Sequence, residues 1–326
     1  MRPTTIIFAI AMAVLLLAAP LAEAQQAEKV YRIGLLGLSS RSDITGLAVM
    51  RQKLRDLGYE EGKNLSIEYR WAEGQYDRLP AFADELVRLK VDVLVTYGTP
   101  GAVAAKRATT AIPVVVASMG DAVAMGIVAN LARPGGNITG SQSQFPEVMG
   151  KRLEMLREAI PRLARVAVLF NPANPALPPA LKIMEVTARS LGIELQLIEA
   201  PSPQDFGGAF AAMAQRRSEG FVVVDDPVLR SHGRAIAELA AKRRLPSVGE
   251  REYAEDGGLL AYAVNRSEVW RRAAILIDRI LKGTKPGDLP VEQPTKYDLV
   301  VNMRTAKLLG LTIPPSLLLR AGQVLE

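Results

Sequence analysis

Small polar residues close several apolar runs of this chain, and their types suit the grasp of a small charged molecule more than bond-breaking chemistry. The run Val93-Leu94-Val95-Thr96 ends in Tyr97-Gly98-Thr99-Pro100-Gly101, just before a helical pattern. Unpaired N–H groups and the dipole of a helix N-terminus there favour an anionic group, and the Thr99 hydroxyl adds a donor. Ser39 and Ser40 follow an earlier run in the same way, and Ser118 and Asp121 follow a later one. Asn171, Asp225 and Tyr262 stand at or near the ends of three further runs. The carboxylates suit an ammonium or amide, and the Tyr97 and Tyr262 rings suit a flat ligand. Local roles compete at most of these positions. Thr99, Ser40 and Asp121 fit plain helix capping, as does Asp226 before Pro227. The expected ligand contacts are Ser39, Ser40, Tyr97, Gly98, Thr99, Ser118, Asp121, Asn171, Asp225 and Tyr262.

Other chemistries lack their residues. The chain has no cysteine, which removes disulfides, thiolate nucleophiles and sulfur-bound zinc. Its single histidine, His232, reads as the exposed first turn of a helix. There is no G-x-G-x-x-G, Walker loop, H-E-x-x-H or G-x-S-x-G. No catalytic residue, metal or cofactor is therefore expected. The net charge is +6, but the basic residues, Arg152, Arg157, Arg162 and Arg165 among them, are dispersed like the decoration of solvated helix faces. Nucleic-acid binding would need a basic stripe with interleaved aromatics.

Arg2, the apolar segment 6–19 and Ala22-Glu23-Ala24 read as a secretory signal cleaved after Ala24, too short in its apolar part to span a bilayer comfortably. A mature protein without a membrane anchor, exported to the periplasm and monomeric, is the expectation.

From Tyr31 onward, short apolar runs alternate with helical segments, the grammar of βαβ units and parallel sheets. Expected strands cover 31–37, 65–71, 91–97, 113–118 and 137–140, with helices over 43–57, 77–89, 102–108 and 122–131 between them. The grammar then repeats. Arg165-Val166-Ala167-Val168-Leu169-Phe170 echoes Arg32-Ile33-Gly34-Leu35-Leu36-Gly37, and Leu245-Pro246 echoes Ile112-Pro113, at an offset of about 130 residues. Two similar α/β lobes follow: one over 29–141, completed by about 266–290, and one over 142–265. Chain crossings are expected near 133–144, after 257–265 and within 283–294. The tail 291–326 should dock on one lobe.

Three stretches carry a family resemblance: Arg70-Trp71-Ala72-Glu73-Gly74; Leu131-Ala132-Arg133-Pro134-Gly135-Gly136-Asn137-Ile138-Thr139-Gly140; and Pro294-Thr295-Lys296 with Leu309-Gly310-Leu311-Thr312-Ile313-Pro314-Pro315-Ser316. In these the chain resembles the solute-binding proteins of ABC importers with the type I periplasmic-binding fold, in the branch that includes tryptophan-binding members. The resemblance implies two Rossmann-like lobes joined by hinge strands, a small organic ligand in the cleft between them, and a membrane permease with its cytoplasmic ATPase as partner. An amino acid or related carboxylate is the favoured ligand.

Overall fold

The computed structural model describes residues 29–39, 45–294 and 296–326. The expected signal segment and Ser40 lie outside them. Alternation of apolar residues builds two sheets, each buried on both faces. The first contains β1 (Tyr31–Gly37), β2 (Leu65–Trp71), β3 (Val93–Thr96), β4 (Val114–Met119) and β5 (Ile138–Gln142), all parallel, in the order β2-β1-β3-β4-β5. The second repeats that order with β6 (Arg165–Phe170), β7 (Glu194–Glu199), β8 (Gly220–Val223), β9 (Ser247–Gly249) and β10 (Leu260–Val264). It is then extended by β11 (Tyr297–Asn302), antiparallel to β10, and β12 (Gln323–Leu325). The internal sequence echo is thus a repeat of topology, strand for strand.

The helices are α1 (Thr45–Asp56), α2 (Leu79–Arg88), α3 (Thr99–Ala108), α4 (Phe145–Ala159), α5 (Leu177–Leu191), α6 (Phe206–Gln215), α7 (Pro227–Ser231), α8 (Gly233–Lys242), α9 (Arg251–Glu255), α10 (Arg266–Leu281), α11 (Met303–Leu309) and α12 (Pro315–Arg320). Residues two apart in a strand share a face. Ile33, Leu35, Val93 and Val95 therefore meet Met50 and Leu54 of α1 and Ala274 and Ile277 of α10, while Leu36, Leu94 and Val116 meet Leu86 of α2 and Ala105 of α3. In the second sheet Val166, Val168 and Val222 pack with α4 and α5, and Ala167, Leu169 and Phe221 with α6 and α8.

Among the described residues the chain passes between lobes from β5 into α4, from β10 into α10, and between Glu292 and β11. The last passage runs beside the first, where Gln142 N–H donates to the Glu292 carbonyl at 2.8 Å. Leu299, Val301, Ile313 and Leu317 of the tail enter the core of the second lobe.

One expected helix, 122–131, is absent. The N–H groups of Ile127 and Val128 both return to the Ala122 carbonyl, at 2.8 and 3.1 Å, and Gly126 is left-handed (φ 63°), so the chain closes a compact turn instead. The 77–89 helix opens with a 3-10 turn, Tyr76–Arg78, before α2. His232 is half-buried between α7 and α8, not exposed. Its Nδ1 lies 2.9 Å from the Val228 carbonyl and its ring stands edge-on to Phe206. Among the described residues no helix is long and apolar enough to cross a membrane, and no group of three His, Asp or Glu is placed to hold a metal ion.

Candidate ligand-binding site

The carboxyl ends of both parallel sheets face each other across one crevice, where loops converge in folds of this kind. On the first lobe, β3 passes into α3 through Gly98, whose dihedrals (φ 88°, ψ 154°) belong to glycine. Its N–H donates to the Ser118 carbonyl at 2.7 Å, and the Thr99 hydroxyl accepts from Gly120 N–H at 2.9 Å. Two hydrogen bonds thus tie the end of β3 to the end of β4. Thr99 N–H and Gly101 N–H, in the first turn of α3, have no intrahelical acceptor.

On the second lobe, Asp226 caps α7 by accepting Val228 N–H at 2.9 Å, which leaves its neighbour Asp225 at the cleft wall. Arg152 of α4, fully buried, fixes Asp225 from behind. Its guanidinium donates to Asp225 Oδ1, to the Val223 carbonyl at 3.0 Å and to the Tyr262 carbonyl at 2.9 Å. Arg152 is therefore the opposite of surface decoration: it joins the ends of β8 and β10. Burial pushes the Asp225 carboxyl up to about 7, against the pull of Arg152 and with the nearby Glu250 charge adding to the rise. Glu250, just after β9, pairs with Arg230 of α7 at 3.1 Å, and both side chains are nearly sealed from solvent.

Arg230 also reaches across the crevice. Its guanidinium carbon lies 5.0 Å from the centroid of the Tyr97 ring, and that of Arg266, from the second crossing, lies 5.1 Å away. Trp270 stacks on the same ring at 5.8 Å with planes 13° apart. Burial pushes the Tyr97 hydroxyl up to about 12, while the two arginines act to lower it. The remaining cavity of about 60 Å³ is bordered by Tyr97, Thr99, Ser118, Asn174, Asp225 and Arg230, room for a few water molecules at roughly 10–15 Å³ each. Behind Tyr97 lies a second recess of about 30 Å³, lined by Ser39, Trp71, Trp270 and Arg266.

A family model for ABC transporter substrate-binding proteins matches residues 43–325. The chain belongs to that family. A tyrosine-binding protein of Clostridioides difficile is 24% identical over 259 residues, spanning 79% of this chain and 74% of the relative. Among solved structures, a conserved domain protein of Vibrio cholerae has a TM-score of 0.83 at 28% identity, with 91% of this chain and 100% of that one covered. A Streptococcus pneumoniae ABC domain in complex with L-Trp has a TM-score of 0.81 at 24% identity, covering 90% and 99%. The score falls to 0.63, at 22% identity and 91% and 99% coverage, against the open, ligand-free structure of a Clostridium difficile substrate-binding protein. The two-lobed α/β fold expected from the residues is the fold of these proteins, and as an ABC substrate-binding protein the chain serves a transporter outside the cytoplasm.

In this substrate-binding protein the cleft wall gathers Tyr97, Gly98, Thr99, Ser118 and Asp225. Four other expected contacts stand elsewhere. Asp121 turns away to accept the N–H groups of Val123 and Ala124 at 3.1 and 3.0 Å, the capping role that competed for it. Asn171 is buried against Asp226 and Ala173 N–H, and Asn174 takes the place at the wall. Tyr262 stacks on Tyr297 at 5.6 Å within the second lobe. Ser39 lines the recess behind Tyr97 and not the cleft. Arg230 and Glu250 are not among the expected contacts, although they lie about 130 residues on from Thr99 and Gly120, at the corresponding strand ends of the second lobe. Trp270 gave no such signal, because helical amphipathicity alone does not say which sheet a helix covers.

Proposed function

We propose that this protein captures a small amino acid, an aromatic one by preference, and delivers it to a membrane permease driven by a cytoplasmic ATPase. One observation carries the ligand class. Opposite charges from the second lobe, Asp225 and Arg230, meet a helix N-terminus and an aromatic wall from the first. A zwitterion answers each: its ammonium to Asp225, its carboxylate to Arg230 and the first-turn N–H groups of α3, its side chain to Tyr97, which Trp270 backs from within the first lobe. The tyrosine-binding relative and the L-Trp complex agree with that class. The protein works as a periplasmic monomer freed of its signal after Ala24, and it releases its cargo chemically unchanged.

A thermal-shift screen of aromatic amino acids, aromatic acids, nucleosides and sugars tests the reading. Ligand at about 100 times its Kd should stabilise the fold by roughly 2.7 kcal/mol. A response to a sugar or nucleoside and to no amino acid would refute the ligand class, and recovery of an altered compound would refute the carrier role.

A further inference from the structure

The lobes touch at a second place next to the cavity, at Asp226, which does not line it but lies between two residues that do, Asp225 and Pro227. After β2, Glu73 and Gly74 are both left-handed (φ 53° and 80°), which turns the chain back toward the sheet. Gly74 N–H donates to the Leu38 carbonyl at 2.8 Å and Gln75 N–H to the Ala72 carbonyl at 2.9 Å, so this turn is fastened to its own lobe. Tyr76 follows. Its ring packs on the first-lobe core, and its hydroxyl donates across the gap to Asp226 Oδ2 at 2.9 Å. Close by, a Cβ on Gly74 would stand 3.0 Å from Cγ2 of Val228 in α7, so the Val228 side chain of one lobe packs directly on the Gly74 backbone of the other.

Asp226 has no solvent exposure and is held by its own lobe as well. Val228 N–H and the Asn171 amide donate to Oδ1 at 2.9 and 3.4 Å, and the Asn174 amide donates to Oδ2 at 3.1 Å. Capping of α7 accounts for Asp226, but it gives no reason for a tyrosine of the other lobe to reach it. Parting the lobes would break the Tyr76 bond alone, because the other three donors to Asp226 belong to the second lobe. The bond therefore has two discrete states that track the separation of the lobes, as a hinge device requires.

We propose that the Tyr76–Asp226 hydrogen bond is a latch that populates the closed arrangement of the lobes without touching the ligand. It rests on the two-lobed clamp of the proposed function, but not on the identity of the cargo. A hydrogen bond of this kind is worth enough to shift a two-state balance by up to about tenfold.

The absence of cysteine makes the test clean. The exposed pair Arg107→Cys and Glu185→Cys, one on α3 and one on α5, carries spin labels for a pulsed-dipolar distance measurement on the full mature chain without ligand. Tyr76→Phe keeps the ring and removes the hydroxyl, and the ratio of short to long distances should fall by up to about tenfold. Tyr59→Phe, which removes a hydroxyl bonded to Asp278 inside the first lobe, should leave the ratio unchanged. An unaltered ratio in Tyr76→Phe, an equal fall in Tyr59→Phe, or no short-distance population in the labelled parent would each overturn the latch. A failed amino-acid screen would sink the ligand reading and leave this measurement intact.

Discussion

Asp225 shows how the surroundings of one carboxylate set its chemistry. Burial raises its carboxyl from 3.8 to about 7, so the folded chain holds a proton that the unfolded chain has released across that interval. Through this group stability is greatest below about pH 4 and declines as the pH climbs to about 7, because the unfolded chain binds fewer protons there. Ligand binding should run the other way. An ammonium requires the ionised form, so affinity for the bound amino acid should fall about tenfold per unit below pH 7 and level off above it. Calorimetry in two buffers of different ionisation enthalpy should show proton release near neutrality, and Asp225→Asn should abolish both the release and the slope. Thr99 is more constrained than its place in the chain suggests. Gly120 N–H already uses one hydroxyl lone pair, which leaves the O–H proton as the group free to turn toward a ligand.

The elements that carry these residues were legible from alternation and punctuation. β1 and β2 match their expected limits, and β6 falls on the stretch that echoes β1, because apolar runs flanked by turn residues leave little freedom in register. The absent 122–131 helix shows the limit of such reading: apolar spacing permitted a helix, but Gly126 and Asn130 capture the backbone in turns first. β5 depends on one backbone approach. Gly140 is left-handed (φ 149°), and a Cβ there would lie 1.9 Å from the Val116 carbonyl oxygen of β4. Gly140→Ala should therefore destabilise the protein by more than about 2 kcal/mol, read as a lower urea midpoint, since both strain and collision act at one position.

The whole molecule is two copies of one sheet order, and chain crossings bind each copy to the other. α10 leaves the second lobe to cover the first, while β11 and β12 return to finish the second sheet. Neither lobe is a contiguous stretch of sequence. Deletion of residues 297–326 should thus unfold the second lobe selectively: it removes the neighbour of β10 and the core side chains Leu299, Val301, Ala306, Ile313 and Leu317. Hydrogen exchange would check this. Amides of β6 and β8 should exchange freely, and those of β1 and β3 should stay protected. Uniform protection would show that the tail is dispensable.

Composition, alternation and the repeat at about 130 residues determined the α/β class, the two lobes and the loops that face each other, because each is a property of local pattern or of pattern copied along the chain. Which residues meet in the crevice was decided only by tertiary structure. Asp121, Asn171 and Asp225 are all acidic or amide residues near strand ends, and sequence alone does not separate them. Arg152 separates them. Buried under β8 and β10, it holds Asp225 in the wall, while local N–H groups claim the other two. Arg230, Glu250 and Trp270 reach the site from segments more than a hundred residues distant from Tyr97: the packing of α10 on the first sheet brings Trp270 to that ring, and the packing of one lobe against the other brings Arg230 and Glu250.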